Sequence, residues 1–186
     1  MELFLTLIGA CAIAFALLWA RSRFADFPVQ RPADYAGAMP RFDIRETLNG
    51  PLDCEGVIFG PTGRVVSRFT ARMEGIWQGN EGTLRESFRY DSGTTQERSW
   101  RLTLGEDGRI RARAEDVIGD GAGAQSGNAV QLRYRIRLPD SAGGHVLDTV
   151  DWMYLVGDGA IINRSQFRKF GVKVAELVAT VRKAHN

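Results

Sequence analysis

Three ionisable residues sit where a strand pattern asks for apolar ones. Glu86 falls between Leu84 and Phe88, and Asp116 between Ala114 and Ile118. Arg98 shares its alternation with Trp100 and Leu102. A carboxylate on an inward face must be paired or protonated. A Glu/Asp/Arg group there predicts either the polar floor of a cavity or a structural ion pair, and solvated positions at a barrel mouth would give the same spacing. A second group lies near the C-terminus, in "VDWMYLVGDGAIINRSQFRKFG", residues 150–171. It combines Trp152 and Tyr154 with Asp151, Asn163 and Arg164. Both of its runs have mixed faces, which suits a hairpin wall with a polar ligand contact or a buried pair such as Asp151 with Arg164. The candidate ligand-binding set is therefore Glu86, Arg98, Asp116, Asp151, Trp152, Tyr154, Asn163 and Arg164.

Signals for catalysis are poor. The two histidines, His145 and His185, fall in a turn and in the tail, away from any triad or metal site. CxxC, HExxH and GxSxG are absent from the sequence. The glycines of "GDGAGA" (119–124) lie between strands rather than at a helix N-terminus, so they read as a loop and not a phosphate cradle. No metal, cofactor or catalytic residue is assigned, and a non-enzymatic role is expected. A net charge of +2 gives no argument for nucleic acid. Only Lys169, Lys173 and Lys183 of the 24 basic residues are lysine. The remaining arginines alternate with acids along the strands, as on a solvated outer surface. Cys11 and Cys54 do not form a framework, since Cys11 lies in an apolar run.

The elements that position these residues follow from periodicity. After a possible helical turn in "FDIRETLNGP" (42–51), apolar residues recur every second position. Val130, Leu132, Tyr134, Ile136 and Leu138 oppose Gln131, Arg133, Arg135 and Arg137, and Ile110, Ala112 and Ala114 oppose Arg109, Arg111 and Arg113. Turn signals recur at 60–64, 79–82, 91–93, 105–109, 119–128, 139–144 and 157–159. With no helical inserts between strands, this is a meander. Closure removes its edges, so the expected fold is all-β: an antiparallel up-and-down, lipocalin-like (calycin-like) barrel of about eight or nine strands. The 150–171 hairpin supplies strands seven and eight. The valine alternation of 172–183 makes it a strand rather than a helix.

In front of the barrel domain (42–186) come a membrane segment (1–23) and an extended proline-rich linker (24–41). Leu3–Ala20 is uncharged and spans about 27 Å as a helix. It fits a single-pass anchor better than a cleaved signal, because Glu2 stands where a basic region belongs. Ile8-Gly9-Ala10-Cys11 also resembles a lipobox, but the apolar run continues beyond Cys11. Arg21, Arg23 and Arg31 after the span favour a cytoplasmic domain by the positive-inside rule.

Four blocks carry a family resemblance: "DYAG" (34–37), "FDIRETLNGPLDCEGVIFGPTGRVVSRF" (42–69), "MEGIWQGNEGTLRESFRYDSG" (73–93) and "DWMYLVGDGAIINRSQFRKFGVKVAEL" (151–177). In order and content the chain resembles the uncharacterised bacterial family known as domain of unknown function 3833. The resemblance implies a lipocalin-like barrel in Gram-negative bacteria, a lipoprotein signal and a periplasmic location, opposite to the positive-inside reading. It also implies, through gene neighbourhood, a link to membrane lipid modification. It supplies no catalytic residues. The function expected is binding of a small hydrophobic or lipidic ligand near a membrane reached through residues 3–20. Protein partners are unknown. The rivals are a scaffold for a lipid-modifying enzyme and a cavity enzyme using Glu86, Asp116 and Arg98.

Overall fold

In the computed structural model of the protein, which describes residues 2–24 and 26–184, ten antiparallel strands close into one barrel. They are β1 (Gly50–Phe59), β2 (Val65–Gln78), β3 (Glu81–Tyr90), β4 (Thr95–Leu104), β5 (Arg109–Arg113), β6 (Gly121–Ser126), β7 (Ala129–Arg137), β8 (Val146–Leu155), β9 (Ile161–Lys169) and β10 (Val172–Lys183). Each strand pairs with its sequence neighbour, and β1 pairs with β10 to close the ring. The expected meander and closure hold, but the count of eight or nine is short. The extra strand is β6, in the segment read as a loop, so the 150–171 hairpin is β8 and β9 rather than strands seven and eight. The 172–183 segment is a strand, as its valines predict.

Period-two alternation sorts the side chains. The core collects Leu52, Cys54, Phe69, Ala71, Leu84, Trp100, Leu102, Ile110, Val130, Leu132, Tyr134, Ile136 and Ile161 on the inner faces. The arginines of β5 and β7 alternate outward and are exposed at Arg109, Arg111, Arg113, Arg135 and Arg137.

One end of the barrel is plugged. The short helix α2 (Ile44–Thr47) is capped by Asp43, whose carboxylate accepts from the Arg45 amide. It drives Phe42, Ile44 and Leu48 into the core. The chain leaving α2 lies so close to β2 that a Cβ at Gly75 would stand 1.7 Å from the Leu48 carbonyl oxygen. Only glycine lets the plug seat there. Trp77 Nε1 donates to the same carbonyl at 3.1 Å. At the opposite end, ringed by the turns after β1, β3, β5, β7 and β9, no such helix enters among the described residues.

The segment between α2 and the N-terminal helix is not the extended linker that its prolines predict. Residues 27–29 and 32–35 form two 3₁₀ turns that strap the outside of β7–β9. Phe27 is buried there with Ala129, Val150 and Trp152, and Tyr35 and Tyr154 pack against them. The Tyr35 ring lies 5.2 Å from Trp152 and 5.6 Å from Tyr154. Gln131 Nε2 donates to the Gln30 carbonyl at 3.2 Å, Arg133 Nη2 to that of Pro28 at 2.6 Å, and Arg168 Nη2 pairs with Asp26 at 2.9 Å.

Residues Glu2–Phe24 form one α-helix of 23 residues, α1, exposing Phe4, Leu7, Ile8, Ile13, Phe15, Leu17 and Trp19. The helix is where the sequence places it. Among the described residues, however, no helix is long and apolar enough to cross a membrane. His185, assigned to the tail, lies outside the described residues.

Candidate functional site

Above the plug the barrel encloses a cavity of about 230 Å³. Its wall is mostly apolar, with Phe69, Phe88, Trp100, Met153 and Phe167 among the lining side chains. Glu86, Arg98, Asp116, Asp151, Asn163 and Ser165 supply its polar part. A larger depression of about 550 Å³, lined by Asp53, Glu55, Arg72, Arg89 and Arg182, draws mostly on outward-facing residues of β1–β3 and β10, with buried Cys54 and Ala71 among them. The chemistry is in the smaller space.

Cross-strand register makes the first half of the site. Glu86 on β3 stands opposite Arg98 on β4. Asp116 arrives from the turn after β5, which is pinned to β7 by the Arg137 amide donating to the Asp116 carbonyl at 2.8 Å. The Arg98 guanidinium forms a close pair with Asp116, Nε to Oδ2 at 2.8 Å, and a longer one with Glu86, Nη1 to Oε2 at 3.9 Å. It stacks on Trp100, 4.2 Å from the ring centroid, with Tyr134 at 5.8 Å. Two atoms of this group have no hydrogen-bond partner although buried: Glu86 Oε2 and Arg98 Nη2.

The other half comes from β8 and β9. Asp151 faces inward and accepts from Asn163 Nδ2 at 2.5 Å and Ser165 Oγ at 2.7 Å. Ser165 stands opposite Asp151 and Asn163 opposite Met153, so the ladder itself sets this triad.

Burial governs the electrostatics. It lifts the Glu86 carboxyl to about 7; the attraction of Arg98 works the other way, and Asp151 and Asp116 add to the rise. Burial likewise raises Asp151 above the ordinary carboxylate range, against the hydrogen bonds from Ser165 and Asn163. Burial opposes the Arg98 charge, but Tyr134, Glu86 and Asp116 outweigh it and hold its pKa above the usual guanidinium value. Burial also pushes the Cys54 thiol, on the same wall, up to about 12, so it is a packing residue and not a nucleophile.

The structure divides the predicted set. Glu86, Arg98, Asp116, Asp151 and Asn163 meet at the cavity. Trp152, Tyr154 and Arg164 do not: they alternate to the outer face, under or beside the strap. The suggested Asp151–Arg164 pair is absent for the same reason. Arg164 pairs with Glu176 at 2.6 Å and lies 4.5 Å over the Phe27 ring. Ser165 and Tyr134 were not selected from sequence. A serine two residues after Asn163 shares its face, which is the signal that would have found it.

These features define a class: a closed up-and-down β-barrel, lipocalin-like in its winding, with a small, largely apolar interior cavity and a buried polar cluster on its wall. The chain belongs to the family described as "Protein of unknown function (DUF3833)", whose model matches residues 23–183. Among solved structures, the S-type phycobiliprotein lyase CPES from Guillardia theta superposes with a TM-score of 0.56 at 7% identity, covering 77% of this chain and 92% of that one. Rv2717c from M. tuberculosis gives a TM-score of 0.56 at 15% identity, covering 80% and 99%. At such identities the likeness shows the fold alone. No curated protein matches the chain in sequence.

Proposed function

We propose that the barrel binds one small amphiphile, apolar body against the aromatic wall and uncharged polar head at Glu86 and Arg98. The observation that carries this reading is the pair of buried atoms without a hydrogen-bond partner, Glu86 Oε2 and Arg98 Nη2, on the wall of an apolar cavity. Buried polar atoms are almost always satisfied, and an alcohol, amide or protonated carboxyl of a ligand would satisfy both. Arg98 Nη2 donates, and Glu86, ionising near 7, donates or accepts. A charged head is disfavoured, because Arg98 already has Asp116 beside it. The volume corresponds to about eight waters at ~30 Å³ each, so a long acyl chain would have to leave by the unplugged end. That the phycobiliprotein lyase shares the fold is compatible with a barrel that takes up a small molecule.

The reading includes attachment to a membrane by α1. Support comes from its exposed apolar side chains, among them Phe4, Leu7, Phe15 and Trp19, on an uncharged run from Leu3 to Ala20.

Calorimetric titration of the full chain with primary alcohols of increasing length tests the cavity. Affinity is expected to rise by about 0.8 kcal/mol per methylene until the space is filled, and then to level off. A series with no binding at any length, together with a solvent extract of the purified protein that yields no bound small molecule by mass spectrometry, would overturn it. The near-neutral Glu86 favours a second reading, an acid–base enzyme whose proton donor and acceptor is that carboxyl. Recovery of the extracted ligand chemically altered, in many-fold excess over protein, would select it.

A further inference from the structure

The turn between β9 and β10 is built unlike any other in the barrel. Phe170 is 93% exposed and, at φ 52°, is the one described non-glycine residue in the left-handed region. A bulky side chain occupies that region at a cost, and its ring meets the Lys169 ammonium at 5.8 Å rather than the core. Val172 beside it is 66% exposed. Because β10 pairs with β1, the turn between β1 and β2 is the next one round the rim, and there Val66 is 64% exposed. Cations flank these apolar tips: Lys169, whose ammonium lies 3.0 Å from His145 Nδ1, and Arg64 on the other turn, while Lys173 is paired with Glu176 at 2.7 Å. Both turns lack acidic residues; those of this end, Asp91, Glu115, Asp116, Asp120 and Asp140, lie on the other turns.

This rim also roots the helix. Arg168 donates through Nη1 to the Gly171 carbonyl at 3.0 Å and pairs through Nη2 with Asp26 at 2.9 Å. One guanidinium thus holds the Phe170 turn and the start of the strap, two residues after α1 ends at Phe24. The strap then runs down the outer wall to the plugged end.

We propose that the adjoining turns at 60–66 and 169–173 press onto the bilayer that holds α1, with Phe170 inserted among its headgroups. The apolar tips, the flanking cations that suit anionic headgroups and the continuity of this edge with α1 all name that one surface. The unplugged end of the cavity then opens toward the membrane, and a lipid-derived amphiphile reaches it without crossing water. This inference rests on the reading of α1 as a membrane anchor.

The test places tryptophan reporters in the full chain, bound to phosphatidylethanolamine/phosphatidylglycerol vesicles with brominated acyl chains. Phe170→Trp and Val66→Trp report the rim, and Glu106→Trp reports the plugged end. The expected result is loss of the added emission at 170 and 66 and none at 106, relative to the unsubstituted chain. Protein that sediments with the vesicles but keeps full emission at 170 and 66 overturns the docking and leaves the anchor standing. Quenching at 106 overturns the orientation. Protein that stays in the supernatant removes the anchor, and this inference with it.

Discussion

Strand β8 carries two polar–aromatic regions back to back, and they differ in one respect. On its outer face, Trp152 and Tyr154 are stacked 5.7 Å apart and roofed by the strap, where Tyr154 donates to Gln30 at 3.0 Å and Arg168 holds Asp26. On its inner face, Asp151 and the neighbouring Glu86–Arg98–Asp116 group border open volume. The outer region spends its aromatic surface on the protein's own chain, whereas the inner one keeps a cavity beside buried polar atoms. The outer face is therefore structural, and the inner one is where the proposed ligand would sit. Similar residue types a single position apart serve opposite ends because the strand period sends them to different sides.

The comparison can be broken by mutation. Trp152 is fully buried, and Trp152→Ala is expected to cost about 3–5 kcal/mol by denaturant unfolding followed by circular dichroism. Alcohol binding by the fraction that remains folded should be unchanged. A loss under about 1 kcal/mol would mean that the strap does not depend on that ring.

The inner face should show itself in pH. The Glu86 carboxyl is raised by burial to about 7 from an ordinary value near 4.5. The folded state therefore binds more protons than the unfolded one between these values. Stability is full below about 4.5 and falls as pH rises through 7, by an amount on the order of 3 kcal/mol. The raised Asp151 acts in the same direction. Glu86→Gln removes its share, so a plot of unfolding free energy against pH should flatten. An unchanged slope in the variant would place the proton uptake elsewhere.

The smallest effect belongs to the strap's ion pair. Asp26 and Arg168 are 37% and 21% exposed, so Asp26→Asn should cost under about 1 kcal/mol globally. Its signature should instead be local: faster hydrogen exchange across 26–35 with the core strands unaffected. Equal acceleration everywhere would show that strap and barrel unfold as one unit.

The sequence reveals the inner region more fully than the outer. Glu86, Arg98 and Asp116 stand out because each breaks an apolar alternation, and register alone brings Glu86 opposite Arg98. Strand β6 was hidden because "GAGAQS" has the composition of a loop. Its glycines serve packing instead, since a Cβ at Gly123 would lie 1.9 Å from the Gln131 carbonyl oxygen. The strap was hidden for a related reason. Prolines that suggest extension also start 3₁₀ turns, and only contacts distant in sequence decide which. Both faces of β8 looked mixed because both are covered, one by the core and one by residues 27–35. Mixed faces do not say which side lines the interior, so the sequence groups Trp152 and Arg164 with Asp151 although register sends them outward.

The seam between β1 and β10 has a kinetic consequence. Cys54 finds Val181, and Leu52 finds Lys183, only when β10 has been made. Every other pair in the ring joins strands adjacent in sequence and can zip as the chain lengthens. Until the seam forms, β1 and the latest strand remain unpaired edges, and such long-range closure is slow. The plug and strap, though first in sequence, are kept waiting too: Phe42 bonds Gly127 and Phe27 packs on Trp152. Folding of this barrel is thus timed by its end, and a chain stalled before β10 would be a sticky open sheet rather than a smaller version of the protein.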